Sequence, residues 1–255
     1  MIALKTKSEL ETMREAGRIV ARLLIELREA IRPGVTTGEL DRIAAKVLKE
    51  HNATSPFYGY PNQEEGLRPF PGHICTSVND ELVHGVPGKR VLKEGDIIKI
   101  DCGARYEGLI ADSAWTFPVG KVNDEAKRLL EVTERALYVT IDKARVGNRT
   151  GDMSAALQGY VESHQLNVVR EYTSHGVGRE LHEGPNVPNV GKAGKGPKLR
   201  PGMTIAIEPM VLAGNYKTKV LPDEWTVVAK DGKLTAHFEH TIVVTDGEPE
   251  ILTKL

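Results

Sequence analysis

Leu92-Lys-Glu-Gly-Asp-Ile-Ile-Lys-Ile-Asp101 and Leu199-Arg-Pro-Gly-Met-Thr-Ile-Ala-Ile-Glu208 carry one pattern twice. Each runs from a leucine through a turn glycine, Gly95 or Gly202, into an apolar β-patterned run that ends on a carboxylate. Successive side chains of a strand point to opposite faces. Ile98 and Ile100 therefore face away from Asp101, and Ile205 and Ile207 away from Glu208. An acid held at the end of an apolar strand, in both copies, is the point from which the rest of the chain is read.

Those two strands lie 107 residues apart, and the strands that follow them match at an offset of 127, which puts Asp112 on Glu239 and Gly120 on Gly247. Upstream, two helical hairpins match at a constant 113: Arg32 with Arg145, Gly34 with Gly147, Thr37-Gly38 with Thr150-Gly151, Glu39 with Asp152 and His51 with His164. In the first hairpin Ser8-Glu-Leu-Glu11 has the form of a capping box. Leu10, Met13, Ile19, Val20, Leu23, Leu24, Leu27 and Ile31 then give one apolar face. Pro33-Gly34 stops that helix, and Thr36 with Glu39 caps a second one that turns Leu40, Ile43, Ala44, Val47 and Leu48 inward. The second hairpin is helical from Asn123 to about Val146, breaks at Gly147 and resumes from Gly151 to His164. The expected architecture is α+β: a single domain over residues 1–255, duplicated as about 1–122 and 123–255, with two pseudo-symmetric halves of antiparallel sheet covered by helices.

Bulk composition narrows the function classes. The 255 residues are 40% hydrophobic and 27% charged with a net charge of -1, which gives no basic field for nucleic acid and no membrane-directed patch. Two cysteines, Cys75 and Cys102, are too few for a disulfide framework and suit a reducing compartment. The N-terminal Met1-Ile-Ala-Leu-Lys-Thr-Lys7 lacks the apolar core of a signal peptide. The expectation is a cytoplasmic protein, with a monomer as the default.

Asp101, Asp112, Glu208 and Glu239 stand apart from the other acids because they lie in or beside apolar strands. Any one of them alone reads as a strand end or a turn cap. Four at duplicated positions converge if the halves face each other, and four like charges share a dry site only if they are protonated or bind cations. With an imidazole nearby, such a set suits two divalent first-row metals bridged by carboxylates about 3.5–4 Å apart, with an activated water between them. Of eight histidines, His84 and His175 each precede a glycine, where close backbone approach to a ligand is expected, and His182 follows in Glu-Leu-His-Glu-Gly-Pro. His51 and His164 fall at helix ends, His73 lies in a Pro-Gly loop, and His240 points away from Glu239; His237 is left unassigned. There is no His-Glu-x-x-His helix and no Gly-x-Ser-x-Gly elbow. Gly191-Lys-Ala-Gly-Lys-Gly-Pro-Lys198 lacks the Gly-Lys-Ser/Thr ending of a phosphate loop and reads as a mobile solvated loop.

Thr76-Ser-Val-Asn-Asp-Glu-Leu-Val-His84-Gly-Val-Pro87, Gly95-Asp-Ile-Ile-Lys-Ile-Asp101, Ile110-Ala-Asp112, Tyr172-Thr-Ser-His175-Gly-Val-Gly-Arg-Glu-Leu-His182-Glu-Gly-Pro185, Ala206-Ile-Glu208-Pro-Met210 and Phe238-Glu239-His-Thr241 together resemble the type I methionine aminopeptidases of the pita-bread fold, over nearly the whole chain. The resemblance implies removal of the initiator methionine from nascent proteins with a small second residue. It implies two divalent metals, drawn from cobalt, manganese, iron, nickel or zinc, on Asp101, Asp112, His175, Glu208 and Glu239, with Asp112 and Glu239 bridging. It implies His182 on the scissile carbonyl, His84 near the scissile nitrogen and Glu208 as the proton shuttle. It places Phe57, Tyr60, Cys75, Leu181 and Trp225 around the methionine side chain, and it implies contact with the ribosome. Residue by residue, ordinary core packing explains those five equally well. The segment Pro61-Asn-Gln-Glu-Glu-Gly-Leu-Arg-Pro69 is longer than the family pattern, and Phe57 and Leu181 stand where a tyrosine and an aromatic residue are common. Proline-specific peptidases of the same fold, which share the five ligands, are the alternative; a non-enzymatic binding protein is a weaker one, because such relatives lose ligands that are all kept here.

Overall fold

The computed structural model describes residues 2–62, 64 and 66–254. The chain opens with helices α1 (Lys7–Ala30) and α2 (Thr37–Glu50), followed by strands β1 (Cys75–Val78), β2 (Glu81–Val83), β3 (Ile97–Tyr106) and β4 (Leu109–Pro118). Helices α3 (Asp124–Ile141) and α4 (Thr150–Ser163) come next. Strands β5 (Asn167–Val168), β6 (Thr173–Gly176), β7 (Glu183–Pro188), β8 (Thr204–Ile207) and β9 (Met210–Leu212) follow. The chain ends on β10 (Thr218–Val220), β11 (Val227–Ala229), β12 (Thr235–His237), β13 (His240–Val243) and β14 (Glu250–Ile251).

Helix α1 begins earlier than Ser8: Thr6 is the cap, its hydroxyl accepting from Glu9 N–H while the Glu9 carboxylate accepts from Thr6 N–H. Thr6 and Glu9 have the same spacing as Ser8 and Glu11, and starting there satisfies the free N–H groups one half-turn sooner. The Thr36–Glu39 box of α2 forms as read. Helix α3 is capped by Asn123 but stops at Ile141, short of Val146, because tight bonds from Lys143 N–H to Thr140 and from Ala144 N–H to Ile141 turn buried Ala144 inward. Segment 191–198 is not a free loop. Its Lys195 and Pro197 carbonyls accept from the first N–H groups of α4, at Gly151 and Thr150. The Gly88 and Arg90 carbonyls do the same for Gly38 and Thr37 at the start of α2.

Two sheets make the body, one ordered β1-β3-β4 and the other β14-β13-β8-β6-β7, with two short three-stranded sheets beside them. The β3–β4 hairpin turns on Glu107-Gly108, both at positive φ, as a two-residue hairpin loop requires. Helices α1 and α2 bury Leu23, Leu27, Leu40 and Leu48 against Ile98, Ile100 and Val119. Helices α3 and α4 bury Leu129, Leu137, Met153 and Leu157 against Ile205, Ile207 and Phe238, and Trp115 packs against both layers. Each such side chain contributes roughly 1.5–3 kcal/mol of transfer free energy. Between the sheets runs a seam of hydroxyl bonds rather than a ladder. Ser113 Oγ donates to the Glu239 carbonyl, Thr116 Oγ1 to the His237 carbonyl at 2.7 Å, and Thr241 Oγ1 to the Asp112 carbonyl at 2.8 Å. Among the described residues, no helix is long and apolar enough to cross a membrane.

Candidate metal centre

The seam sets the first pair of acids beside the second. Asp101 on β3 opposes Ala114, and Asp112 on β4 opposes Gly103, so the two are diagonal neighbours across the hairpin. Glu239 N–H donates to the Ala114 carbonyl at 2.7 Å, which brings the Glu239 side chain next to Asp112. His175 on β6 opposes Ala206 on β8, and Glu208 follows β8 with its N–H on Ser174 Oγ. His175 Nε2 then lies 3.4 Å from Glu208 Oε1, and one ligand atom each of Asp112, His175 and Glu239 lie within 4.8 Å of one another. The two glycines next to the histidines serve a different purpose from the one expected. A Cβ on Gly85 would meet the Thr76 carbonyl at 2.2 Å and one on Gly176 the Gly184 carbonyl at 2.2 Å. They permit close approach of neighbouring backbone.

Burial raises all four carboxyls: Asp112 to about 7, and Asp101, Glu208 and Glu239 well above their usual range, with the neighbouring acids adding repulsion for the last three. Among the described residues no lysine or arginine pairs with any of them, and Asp101 Oδ1, Asp112 Oδ1 and Glu239 Oε1 are buried without a hydrogen-bond partner. The His175 Nδ1–H donates to the Gly176 carbonyl at 3.0 Å, which leaves a lone pair on Nε2 facing Glu208 Oε1. Two lone pairs aimed at each other, among oxygens with no donor, fit a site built for divalent cations.

His182 is exposed, with its ring centroid 4.3 Å from that of His175 and its Nδ1 2.6 Å from the Tyr60 hydroxyl. His84 is half-buried, sits at the left-handed φ of 58° and packs edge-on against Tyr172. His73 pairs with Asp41, His51 and His164 cap α2 and α4, and His240 turns away to Thr253 Oγ1 and Trp115. His237, left unassigned above, lies inside the cluster, 3.3 Å from Glu208 Oε2. Its position two residues before Glu239 is the signal in the sequence, but β12 ends at His237 and β13 begins at His240, so strand alternation does not fix how the two face. Phe57, Tyr60, Cys75, Leu181 and Trp225 gather in a single apolar cluster with Phe70, Val177 and Ala206, and three of them (Phe57, Cys75 and Leu181) are buried. Burial pushes the Cys75 thiol up, so it is an apolar wall rather than a nucleophile. In the 61–69 segment, Gln63 and Glu65 lie outside the described residues; the Arg68 carbonyl accepts from the Trp225 indole at 3.0 Å and Asn62 donates to the Glu224 carbonyl.

Against known proteins, residues 11–246 match the metallopeptidase family M24. This chain belongs to family M24. The M24 chain is 54% identical to "Methionine aminopeptidase 1" of Bacillus subtilis, with both chains covered in full. It superposes on the methionine aminopeptidase of Thermotoga maritima with a TM-score of 0.96 at 45% identity, again covering 100% of each. The prolidase of Pyrococcus furiosus shares the fold alone, at a TM-score of 0.78 and 22% identity, with 65% of that chain covered. The architecture is thus that of the pita-bread metallopeptidases, and membership of M24 implies binding of divalent metal, consistent with the unpaired acids described above.

Proposed function

We propose that this chain is a methionine aminopeptidase that removes the initiator methionine from new proteins, with Asp101, Asp112, His175, Glu208 and Glu239 holding two divalent cations. The observation that carries the ligand set is the convergence of buried, unpaired carboxylate oxygens on one imidazole lone pair. The activity follows from kinship with methionine aminopeptidases at high identity over the full chain. The cations supply Lewis acidity for the scissile carbonyl and for the attacking water.

The chain's own residues supply the rest. The Tyr60 hydroxyl lies 2.6 Å from His182 Nδ1; with the hydroxyl as donor, the ring proton sits on Nε2, the tautomer needed to donate to a developing oxyanion. Burial and the neighbouring Asp101 and Asp112 raise Glu208 in the metal-free protein; as the proposed proton carrier it would take a proton and pass it to the leaving amine. His84, pushed down to about 4 by burial, is neutral and able to accept or donate near the scissile nitrogen. The cluster of Phe57, Cys75, Leu181, Tyr60 and Trp225 gives an apolar, partly sulfur-lined receptor for an unbranched thioether. The whole chain works as one catalytic domain of two duplicated halves. It is a cytoplasmic monomer that acts on nascent chains at the ribosome, and its two buried free thiols accord with a reducing compartment.

The test is a product assay. Protein stripped of metal and reloaded anaerobically with manganese, cobalt or iron is offered a Met-Gly-Ser peptide and an Ala-Pro peptide. Metal-dependent release of methionine alone is expected. Cleavage of the Ala-Pro peptide alone moves the chain to the proline-specific peptidases, and metal binding without either product overturns the enzymatic reading. Glu208→Gln is expected to lower kcat by about 10²–10⁴-fold.

A further inference from the structure

His237 is the one imidazole in the cluster with no assignment. It is 1% exposed, and neither ring nitrogen has a hydrogen-bond partner among the described residues. Buried polar groups are nearly always paired, so an orphaned imidazole asks for an explanation. Its backbone is clamped on both sides by Thr116 Oγ1, at 3.0 Å to its N–H and 2.7 Å to its carbonyl, so the ring's place is not accidental slack. Nε2 lies 3.3 Å from Glu208 Oε2 and 4.0 Å from Glu239 Oε2.

Glu208 is therefore held between two imidazoles, one per oxygen: His175 at Oε1 and His237 at Oε2. The two rings differ in what they can offer. In His175 the Gly176 carbonyl takes the Nδ1 proton and frees a lone pair on Nε2. In His237 no acceptor faces Nδ1, and the carboxylate oxygens lie on the Nε2 side. A neutral imidazole has one N–H, and on the Nε2 side the Glu208 Oε2 acceptor lies 3.3 Å away, close to it but not hydrogen-bonded. The 3.3 Å separation is within hydrogen-bond reach, and a small turn of the ring or of the carboxylate is what would align the N–H with Oε2.

We propose that His237 is a positioning residue that donates Nε2–H to Glu208 Oε2, reserving Oε1 for the metal shared with His175 and fixing the carboxylate that moves the proton. This rests on the reading of Glu208 as a ligand. Outer-shell donors of this kind typically change metal affinity or activity by about 10–100-fold.

The experiment is calorimetric titration of the metal-stripped full chain with manganese, alongside kcat and KM on a Met-Gly-Ser peptide, for His237→Leu, His237→Asn and His237→Gln. His237→Leu and His237→Asn, the latter too short to reach, are expected to weaken one of the two manganese sites by about 10–100-fold and to lower kcat with KM within about threefold. His237→Gln keeps an N–H donor at similar reach and is expected to restore both to within about threefold of the parent. Affinity and kcat unchanged in folded His237→Asn would reduce His237 to a space-filler and overturn the proposal. Glutamine as damaging as asparagine, with cobalt X-ray absorption losing one nitrogen scatterer, would make His237 a direct ligand and overturn it equally. Glu208→Ala is the control: manganese binding unaltered by that change sinks the reading of Glu208 as a ligand, independently of His237.

Discussion

Tyr60 and His182 show how much one hydrogen bond carries at the residue scale. The hydroxyl is 2.6 Å from Nδ1, and in the proposed role it donates there and keeps the ring proton on Nε2. Tyr60→Phe keeps the ring in the apolar cluster but frees the tautomer. The expected outcome is a fall in kcat of about threefold to tenfold with metal content unchanged, whereas His182→Ala should cost about 10²–10³-fold because the proposed oxyanion donor is gone. Steady-state methionine release with metal analysis checks both; equal losses in the two variants would mean Tyr60 does more than orient. At this scale the residues that the structure brings together, Asp112, His175, Glu208 and Glu239, were legible in the sequence. Duplicated acids at strand ends announce themselves, since an apolar strand does not otherwise keep a carboxylate. His237 was not legible, because its facing depends on the chain path through Phe238 and on the clamp from Thr116, which lies 121 residues away.

At the scale of elements, α1 and the residue before its cap are tied to the second half of the chain by three ion pairs among the described residues, one of them Glu9 with Arg179. Lys5, just before the helix, meets Glu183 at 2.7 Å with the lysine side chain 1% exposed, and Arg14 meets Glu250 at 2.7 Å. Burial pulls Glu183 upward, but the Lys5 ammonium and the N–H groups of Glu180 and Arg179 outweigh it and hold the carboxyl below its ordinary range. Arg14 likewise lowers Glu250. A depressed carboxylate adds stability above its unfolded pKa and loses it as pH falls through the folded value. The pairs therefore weaken only below about pH 4.5. Lys5→Met leaves Glu183 partly buried and unpaired, so a loss of about 3 kcal/mol is expected, together with a shallower acid limb in a plot of Tm against pH. An unchanged acid limb would show that Glu183 keeps its shift through the N–H groups alone. Helix starts were only partly legible in the sequence: Thr6 and Ser8 offer the same cap spacing, and the choice falls to the tertiary contacts of Lys5. The 61–69 segment is bonded to Glu224 and Trp225, so shortening residues 63–68 should raise KM for methionine peptides while metal content stays constant. Unaltered KM would leave it a surface loop.

For the whole molecule, the two halves meet at a centre that stores like charge. The same carbonyl-to-helix device recurs at Gly38 and Gly151, where an added Cβ would meet the Gly88 carbonyl at 2.9 Å and the Lys192 carbonyl at 2.3 Å. That correspondence was visible as a 113-residue offset in the sequence, but its cause, a returning loop that caps each second helix, was not. The stored charge gives a prediction for the metal-free protein. Asp112 is raised to about 7 by burial, and Asp101, Glu208 and Glu239 are raised well above their usual values. An acid whose folded pKa lies above its unfolded one binds its proton more tightly in the folded state. Its stability is fully present below the unfolded pKa, near 4, and is lost as pH rises through the folded value. Buried His84, His175, His237 and His240, held at about 3 to about 4 and neutral, act in the opposite sense, because their unfolded counterparts protonate near 6.5 and take stability away as pH falls. Chelated protein, in which the raised acids offset that cost, should therefore lose little stability between about pH 7 and about 5, a window above the range in which Glu183 and Glu250 titrate. Manganese-loaded protein should lose stability more steeply over the same window, because acid competes with the cation for the same oxygens and binding to the folded state alone raises Tm. Scanning calorimetry of both forms across that window reads the two slopes directly. Parallel slopes would mean the acids keep their charge without metal, and the centre would then need a counter-charge other than the cations.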